Sequence, residues 1–180
     1  MENTTRQDKI ENVLNDRQEG IMVFEDIHDP HNFAAACRSA EGFGFGKVWL
    51  IFEKEKSFNP KKVGKTSSSS ANKWLDFRIF KSTKECLKEL KKEGFEIWAT
   101  VLDPEAIKIN EADFTGEKIA VMFGNEHRGL SEVAVKGADK KVYIPMKGMV
   151  QSFNLSVTAA IFLYEIDRQR EKRRARLGNE

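Results

Sequence analysis

The sequence contains little cysteine and no long hydrophobic run. Only Cys37 and Cys86 occur, far apart and without the spacing of metal ligands, so we expect free thiols in a reducing compartment, the cytoplasm. No apolar run approaches the roughly 20 residues that cross a bilayer, and the polar residues 1–20 contain no apolar core of a secretory signal. We therefore expect no membrane partner.

Histidine is also scarce. The three histidines, His28, His31 and His127, do not have the spacing of a metal site, and no Ser-His-Asp or Cys-His arrangement can be argued. We therefore expect no metal. Because 40% of the 180 residues are hydrophobic and 32% are charged, the composition favours one globular domain with a sizeable core.

Short apolar runs alternate with helical patterns along the chain. The predicted strands are residues 21–27, 47–52, 76–80, 95–102, 118–124 and 141–146. The predicted helices are residues 4–18, 82–94, 130–138 and 152–174, with a further helix that begins at residue 30. This alternation predicts an α/β fold with a largely parallel sheet and helices on both faces. Ligands of such sheets bind at the carboxyl ends of strands, so we expect the loops after Leu102, Phe123 and Ile144 to form the binding site.

The helix that begins at residue 30 carries an unusual arginine. Asp29 is a good N-cap, and the glycines of "GFGFG" (42–46) close the helix instead of opening one, which argues against a dinucleotide-binding fingerprint. At about 100° per residue, Arg38 points nearly opposite to the core side of the helix. The side of Arg38 carries small residues, which are Ala34, Ala35 and Gly42. Arg38 is therefore either a solvated surface charge or a functional group on a helix face that another molecule can approach closely.

Two glycine-containing loops lie at predicted strand ends. In "VMFGNEHRGLS" (121–131) a strand runs into Gly124 and a helix begins near Ser131, so the amides between them form a polar cradle. The alternative is an ordinary strand-to-helix turn in which Glu126 accepts hydrogen bonds from nearby amides.

The second loop is "YIPMKGMVQSFNLSVTAA" (143–160), which leads into a helix whose first turn holds Ser152, Asn154 and Ser156. Ser152 would serve as a plain N-cap, whereas Asn154 is harder to explain that way because asparagine is a poor residue inside a helix. A neutral polar helix start beside two glycine loops suits a neutral or zwitterionic small molecule.

Positive charge is concentrated at the end of the chain. Residues 167–180 hold six Lys or Arg side chains against three acids, within a chain whose net charge is +2. Such a stretch suits a partner with a phosphate backbone, or it is a solvated helix end where cations are favourable. The composition leaves both interpretations open.

Three blocks of residues occur in the same order as in a known family. They are the segment from Asn32 through Arg38 to Gly44, the loop with Gly124, Glu126, Gly129, Leu130 and Ser131, and the segment with Ile144, Pro145, Met146, Gly148, Ser152, Asn154, Ser156 and Ala159. In these blocks the chain resembles the SpoU-type RNA ribose 2′-O-methyltransferases of the SPOUT class, and among them the TrmH group, over nearly its whole length. The resemblance implies a deep C-terminal trefoil knot, a rare exception to unknotted connectivity. It also implies a helical extension over residues 1–20, a methyltransferase domain over 21–166 and a basic helix end over 167–180.

The resemblance further implies ligands and the residues that hold them. S-adenosylmethionine is the implied cofactor, and a homodimer completes each site. The residues implied to bind the cofactor are Thr100, Leu102, Gly124, Asn125, Glu126, Gly129, Ile144, Met146, Phe153 and Ser156. The implied catalytic residues are Asn32, Arg38, Ser152 and Asn154, and the implied RNA-binding residues are Arg38, Arg168, Lys172, Arg173 and Arg174.

The activity implied by the resemblance is methyl transfer to a ribose 2′-hydroxyl of tRNA, at the D-loop guanosine of position 18. Because a guanidinium is essentially never deprotonated in proteins, we expect Arg38 to clamp an RNA phosphate and orient the hydroxyl. The alternatives are the same reaction on ribosomal RNA or on the tRNA wobble ribose, and a catalytically silent RNA-binding dimer. The chain departs from the family pattern at residues 68–72 and in the excess of acids over bases in residues 1–20.

Overall fold

The computed structural model describes residues 5, 7–8, 16–63 and 71–178. Within these residues, the strands are Gln18–Glu25 (β1), Phe45–Ile51 (β2), Asp76–Phe80 (β3), Glu96–Thr100 (β4), Ile107–Lys108 (β5), Ile119–Phe123 (β6) and Lys140–Tyr143 (β7). The helices are Pro30–Gly42 (α1), Thr83–Lys92 (α2), Glu132–Gly137 (α3) and Leu155–Leu177 (α4), with a 3₁₀ turn at Ala71–Lys73. The predicted helix over residues 4–18 falls largely outside the described residues, and Gln18 already belongs to β1.

The strands form one parallel sheet in the order β3-β2-β1-β6-β4-β7-β5. Every residue of β6 is buried, which agrees with its continuous apolar sequence, because a strand covered on both faces needs no polar alternation. The predicted parallel sheet is therefore confirmed. The strand β5 is not predicted by the sequence pattern, because a strand of two residues paired with β7 is too short to produce an apolar run.

Helices cover both faces of the sheet, as predicted. On one face, α1 and α4 pack against each other and share a core with Phe24 and Phe123. On the other face, Leu90 of α2 and Ala134 of α3 share a second core with Val23. Neighbouring residues of one strand thus face different cores. The connecting loops lie at the ends of the strands.

The α1 helix begins and ends as predicted. The Asp29 side chain caps it by accepting a hydrogen bond from the backbone N–H of His31 at 2.8 Å. At the other end, Gly44 has a φ of +76°, a left-handed conformation that glycine adopts without strain, and β2 begins at the next residue. The "GFGFG" segment is therefore a helix end followed by a strand.

The buried side of α1 is wider than its sequence pattern predicts. Ala34 is fully buried, although the pattern places it beside Arg38 on the exposed side. The reason is that α1 packs against α4 and the 3₁₀ turn as well as against the sheet. Arg38 itself is exposed, as its angle on the helix predicts.

The α4 helix begins later than predicted, and its cap is a different residue. The expected start at Ser152 is wrong, because that residue lies exposed in the preceding loop. Asn154 is the N-cap and accepts a hydrogen bond from the backbone N–H of Ser156 at 2.8 Å. Asparagine is among the best N-cap residues, so its presence has a structural reason that the expected boundary concealed.

Both cysteines are free and buried. Burial raises the pKa of Cys86 to about 12 and that of Cys37 well above its ordinary value, so both remain protonated thiols at neutral pH. In the part of the chain that the structure describes, no helix has the length and apolar character to cross a membrane. The same residues contain no group of three His, Cys, Asp or Glu side chains that could hold a metal ion.

Candidate active site

Glu126 joins the loop after β6 to the start of α1. Its carboxylate accepts hydrogen bonds from the backbone N–H groups of His28 at 2.9 Å and Asp29 at 3.1 Å. It also accepts a hydrogen bond from the side-chain amide of Asn32 at 3.2 Å. These contacts are those of a structural carboxylate that fixes two loops relative to each other.

Asn32 continues this network into α4. Nδ2 of Asn154 donates a hydrogen bond to Oδ1 of Asn32 at 2.9 Å. Oδ1 of Asn154 accepts hydrogen bonds from the backbone N–H of Ser156 at 2.8 Å and from its hydroxyl at 2.7 Å. The structure thus brings together four of the residues singled out from the sequence, which lie on three separate segments. We call Asn32, Glu126 and Asn154 the asparagine–glutamate network.

The network determines the charge state of Glu126. Partial burial raises the pKa of this carboxyl, but hydrogen bonds from the amides of His28 and Asp29 and from Asn32 outweigh burial. The net pKa of Glu126 lies below its ordinary value. Glu126 is therefore a carboxylate at neutral pH and a poor candidate for a base, since a base needs a pKa near the working pH.

The loop after β6 closes tightly on itself. Asn125 and Gly129 exchange two backbone hydrogen bonds, of 3.1 and 2.9 Å, and Gly129 has a φ of +67°. A Cβ atom on Gly124 would lie 2.1 Å from the carbonyl carbon of Gly129 and 2.2 Å from the backbone nitrogen of Leu130. Position 124 therefore has no room for a side chain, which is the physical reason for glycine at this strand end.

The buried side chain of Asn125 forms its hydrogen bonds with backbone groups. Its Nδ2 donates to the carbonyl of Asp26 at 2.7 Å, and its Oδ1 accepts from the backbone N–H groups of His127 and Arg128 at 2.9 and 3.0 Å. The resemblance implies that Asn125 binds the cofactor, and in the structure its side chain holds the loop in shape.

Two buried carboxylates at the end of β1 escaped the sequence analysis. Glu25 accepts hydrogen bonds from the backbone N–H and the hydroxyl of Ser131, both at 2.7 Å, and from the hydroxyl of Thr83. Asp26 accepts the backbone N–H groups of residues 53–55 at 2.8, 2.9 and 3.1 Å. The sequence shows two adjacent acids at the end of an apolar run. Carboxylates that are buried in such a place need several hydrogen-bond donors.

Apolar side chains lie uncovered at the same edge of the sheet. Leu102, after β4, is 63% exposed, and Phe153, before α4, is 42% exposed. Met146 is half-buried, and Ile144 packs against the core. Thr100 donates its hydroxyl proton to the carbonyl of Met122 at 2.8 Å, which ties β4 to β6. These loops therefore offer apolar surface beside the polar network.

Arg38 lies outside the asparagine–glutamate network of its own chain. Six residues separate it from Asn32, which is about 9 Å along the helix axis. Beside it runs a shallow groove of about 460 Å³ between α1 and α4. The residues that line this groove are Ala35, Ser39, Ser156, Val157, Ala160, Ile161 and Tyr164. We call it the α1–α4 groove.

Most basic residues of α4 interact within the chain. Arg168 pairs with Glu165 at 2.6 Å, and Arg174 pairs with Glu171 at 2.6 Å. Arg173 donates a hydrogen bond to the carbonyl of Thr115 at 2.6 Å, whereas Lys172 is exposed.

Arg170 is buried, although the basic residues 167–180 suggest either a phosphate-binding stretch or a solvated helix end. Its guanidinium donates to the carbonyls of Glu19, Gly116 and Glu117 at 2.9, 2.6 and 2.9 Å, and to Gln18 at 3.2 Å. Arg170 thus fastens α4 to the amino-terminal edge of the sheet.

A parallel α/β sheet with glycine-containing loops after β6 and β7, the two neighbours of β4, is typical of proteins that bind small ligands at the carboxyl edge. A model described as the SpoU rRNA Methylase family matches residues 19–164, and the chain belongs to this family.

Individual proteins agree with this assignment. The tRNA (guanosine(18)-2′-O)-methyltransferase of Thermus thermophilus is 38% identical over 171 residues, which cover 93% of this chain and 84% of the relative. The crystal structure of the A. aeolicus TrmH/SpoU tRNA modifying enzyme has a TM-score of 0.82 at 33% identity and covers 93% of this chain and 84% of that one. The SpoU methyltransferase AviRb from Streptomyces viridochromogenes, in complex with the cofactor AdoMet, has a TM-score of 0.73 at 26% identity and covers 87% of this chain and 59% of that one. The family expected from the motifs is confirmed.

Proposed function

We propose that this chain transfers a methyl group from S-adenosylmethionine to a ribose 2′-hydroxyl of tRNA, at guanosine 18 of the D-loop. The observation that carries the proposal is the asparagine–glutamate network, which joins residues of all three motifs at the carboxyl edge of the sheet. The name of the Thermus thermophilus relative supports the choice of nucleotide.

The residues at this edge fit S-adenosylmethionine. Leu102, Phe153 and Met146 offer apolar surface for a purine ring, and the tight loop that begins at Gly124 would offer its backbone groups to the rest of the cofactor. The remaining residues proposed to hold the cofactor are Thr100, Asn125, Glu126, Gly129, Ile144 and Ser156. The bound cofactor supplies a methyl group on a positively charged sulfur.

The chemistry assigns separate tasks to the protein side chains. With S-adenosylmethionine bound, the ribose oxygen would bond to the methyl carbon, the carbon–sulfur bond would break with its electron pair left on sulfur, and the hydroxyl proton would pass to solvent water. Asn32, Asn154 and Ser152 orient the hydroxyl for in-line attack, and Arg38 clamps an RNA phosphate through its planar guanidinium. Glu126 keeps Asn32 in place.

We propose that the α1–α4 groove is the interface of a homodimer, in which Arg38 reaches the site of the other subunit. Val157 and Tyr164 are 45% and 57% exposed, and the small residues Ala35 and Ser39 permit close approach. We expect Val157→Asp to convert a dimer into a monomer in sedimentation equilibrium. A wild-type monomer would contradict this interface.

Further parts of the resemblance remain proposals. The trefoil knot is proposed from the resemblance. The segment at residues 112–114 lies against α4, where Gln169 donates to the carbonyl of Ala112 at 2.9 Å and accepts from the N–H of Phe114 at 2.8 Å. The domain limits 21–166, the helical extensions and a cytoplasmic location are proposed with it. RNA contact by Arg168, Lys172, Arg173 and Arg174 also stays a prediction.

Methyl transfer to defined RNAs tests the proposal. We expect label from [methyl-³H] S-adenosylmethionine to enter an unmodified tRNA transcript, and we expect no label when nucleotide 18 lacks its 2′-hydroxyl. Label in the deoxy-substituted tRNA would place the target elsewhere. Label only in ribosomal RNA would favour the alternative that the family description suggests. Absence of cofactor binding in calorimetry would leave a silent RNA-binding protein.

A further inference from the structure

The loop that follows β2 is built as a rigid platform. We call residues 53–63 the lysine loop. Its first three N–H groups are held by the buried Asp26 carboxylate at 2.8 to 3.1 Å. The Phe58 ring lies 5.4 Å from the ring of Phe33 in α1, which anchors the middle of the loop to the core.

The second half of the lysine loop is fixed as well. Pro60 is buried, and Nδ2 of the buried Asn72 donates hydrogen bonds to the carbonyls of Pro60 and Val63, both at 2.8 Å. Anchors at the beginning, middle and end leave little freedom to the backbone between them. Side chains that point outward from this loop are therefore presented on a defined surface.

Those outward side chains are mainly cations. The exposed lysines of the loop are Lys54, Lys56, Lys61 and Lys62. Among the described residues, none of them forms an ion pair. The two acids of the loop are engaged, because Glu53 accepts the backbone N–H of Thr83 at 3.0 Å and Glu55 binds Arg128 at 2.8 Å and His28 at 3.5 Å. The lysine loop thus presents a positive surface.

This surface adjoins the asparagine–glutamate network. Arg128 and His28, the partners of Glu55, belong to the loops on both sides of Glu126. The exposed Lys172 of α4, in contrast, lies about 27 Å along the helix from Asn154 in the same chain. Within one subunit, Glu55 ties the lysine loop to the two loops that meet at Glu126.

We propose that the lysine loop binds the phosphate backbone of the RNA substrate beside the reacting nucleotide, an inference that rests on the proposed function. Spaced ammonium groups on a rigid loop suit a chain of phosphates, since each neutralised phosphate releases a counterion and the gain is independent of sequence. The contact therefore sets affinity and position, and the asparagine–glutamate network acts on the ribose.

The double variant K61A/K62A tests this, with K88A/K91A on the opposite face of the sheet as a control of equal charge change. We measure the affinity for an unmodified tRNA transcript by filter binding between 50 and 300 mM KCl, and cofactor affinity by calorimetry. We expect K61A/K62A to weaken tRNA binding roughly tenfold at low salt and to reduce the slope of log affinity against log salt by about one to two. Cofactor affinity stays as in the wild type.

The outcomes separate the two proposals. A wild-type protein that binds tRNA and a K61A/K62A variant with the same affinity and salt slope would overturn the lysine loop alone. Equal losses in K61A/K62A and K88A/K91A would also overturn it, because the effect would then be one of total charge. A wild-type protein that binds neither tRNA nor S-adenosylmethionine would overturn the proposed function together with this inference.

Discussion

Replacement of Glu126 by glutamine removes a charge and keeps the size of the side chain. The carboxylate accepts three hydrogen bonds, at 2.9, 3.1 and 3.2 Å, whereas glutamine offers one acceptor oxygen and turns an amide donor toward the remaining N–H groups. A hydrogen bond to a charged group contributes about 1.5–3 kcal/mol when buried, and Glu126 is only partly buried. We therefore expect Glu126→Gln to lower the free energy of unfolding by about 2 kcal/mol at pH 7.

The pH dependence of this loss has a defined sign. The pKa of Glu126 in the folded protein lies below its ordinary value, so the carboxylate stabilises the fold fully above the unfolded pKa of about 4.3. The stabilisation is lost as the pH falls through the lower, folded pKa. Urea unfolding of both proteins at pH 7 and at steps below pH 4.5 should show the difference shrink, and the control Glu117→Gln, at an exposed loop position, should follow the wild type. A difference that stays constant down to pH 3 would refute the role of the charge.

Four further substitutions separate functional from structural roles. Arg38→Ala should leave the melting temperature nearly unchanged in calorimetry and abolish methyl transfer, because Arg38 is exposed; loss of folding would indicate a structural role. Gly124→Ala should destabilise the protein by about 2–4 kcal/mol in urea and abolish cofactor binding, because its Cβ would lie 2.1 Å from backbone of the same loop. Arg170→Ala should cost about 3 kcal/mol of unfolding free energy, since it leaves buried carbonyls without a donor, whereas Arg174→Ala should match the wild type; equal effects would contradict this distinction. Asn154→Asp should keep the cap of α4 but lose the hydrogen bond to Asn32, about 1 kcal/mol of unfolding free energy and methyl transfer; a fully active variant would show that the amide donor is dispensable.

Local sequence patterns predicted the central strands and the start of α1 well. Continuous apolar runs indicated the central strands, because a strand that is buried on both faces is apolar at every position. The cap at Asp29 followed from contacts within a few residues. The exposure of Arg38 followed from its angle on the helix alone.

Long-range contacts account for what could not be predicted. Ala34 is buried because distant segments pack on α1, and nothing near residue 34 encodes them. Arg170 looks like part of a solvated basic tail, yet its partners lie more than 50 residues away in sequence. The site shows the same division: the motifs indicated Asn32, Glu126 and Asn154, but only the fold shows that one carboxylate and two amides form a single chain of hydrogen bonds.

Asn154 both caps a helix and holds a side chain of another segment. Its Oδ1 caps α4 through the N–H of Ser156, and its Nδ2 holds the side chain of Asn32. Serine or aspartate would cap the helix equally well, but neither provides an amide donor, and aspartate would set an oxygen against the Asn32 oxygen. The two ends of one amide thus fix the start of α4 relative to the start of α1. Because Glu126 holds Asn32 from the other side, the position of the proposed catalytic amides depends on the charge of this carboxylate.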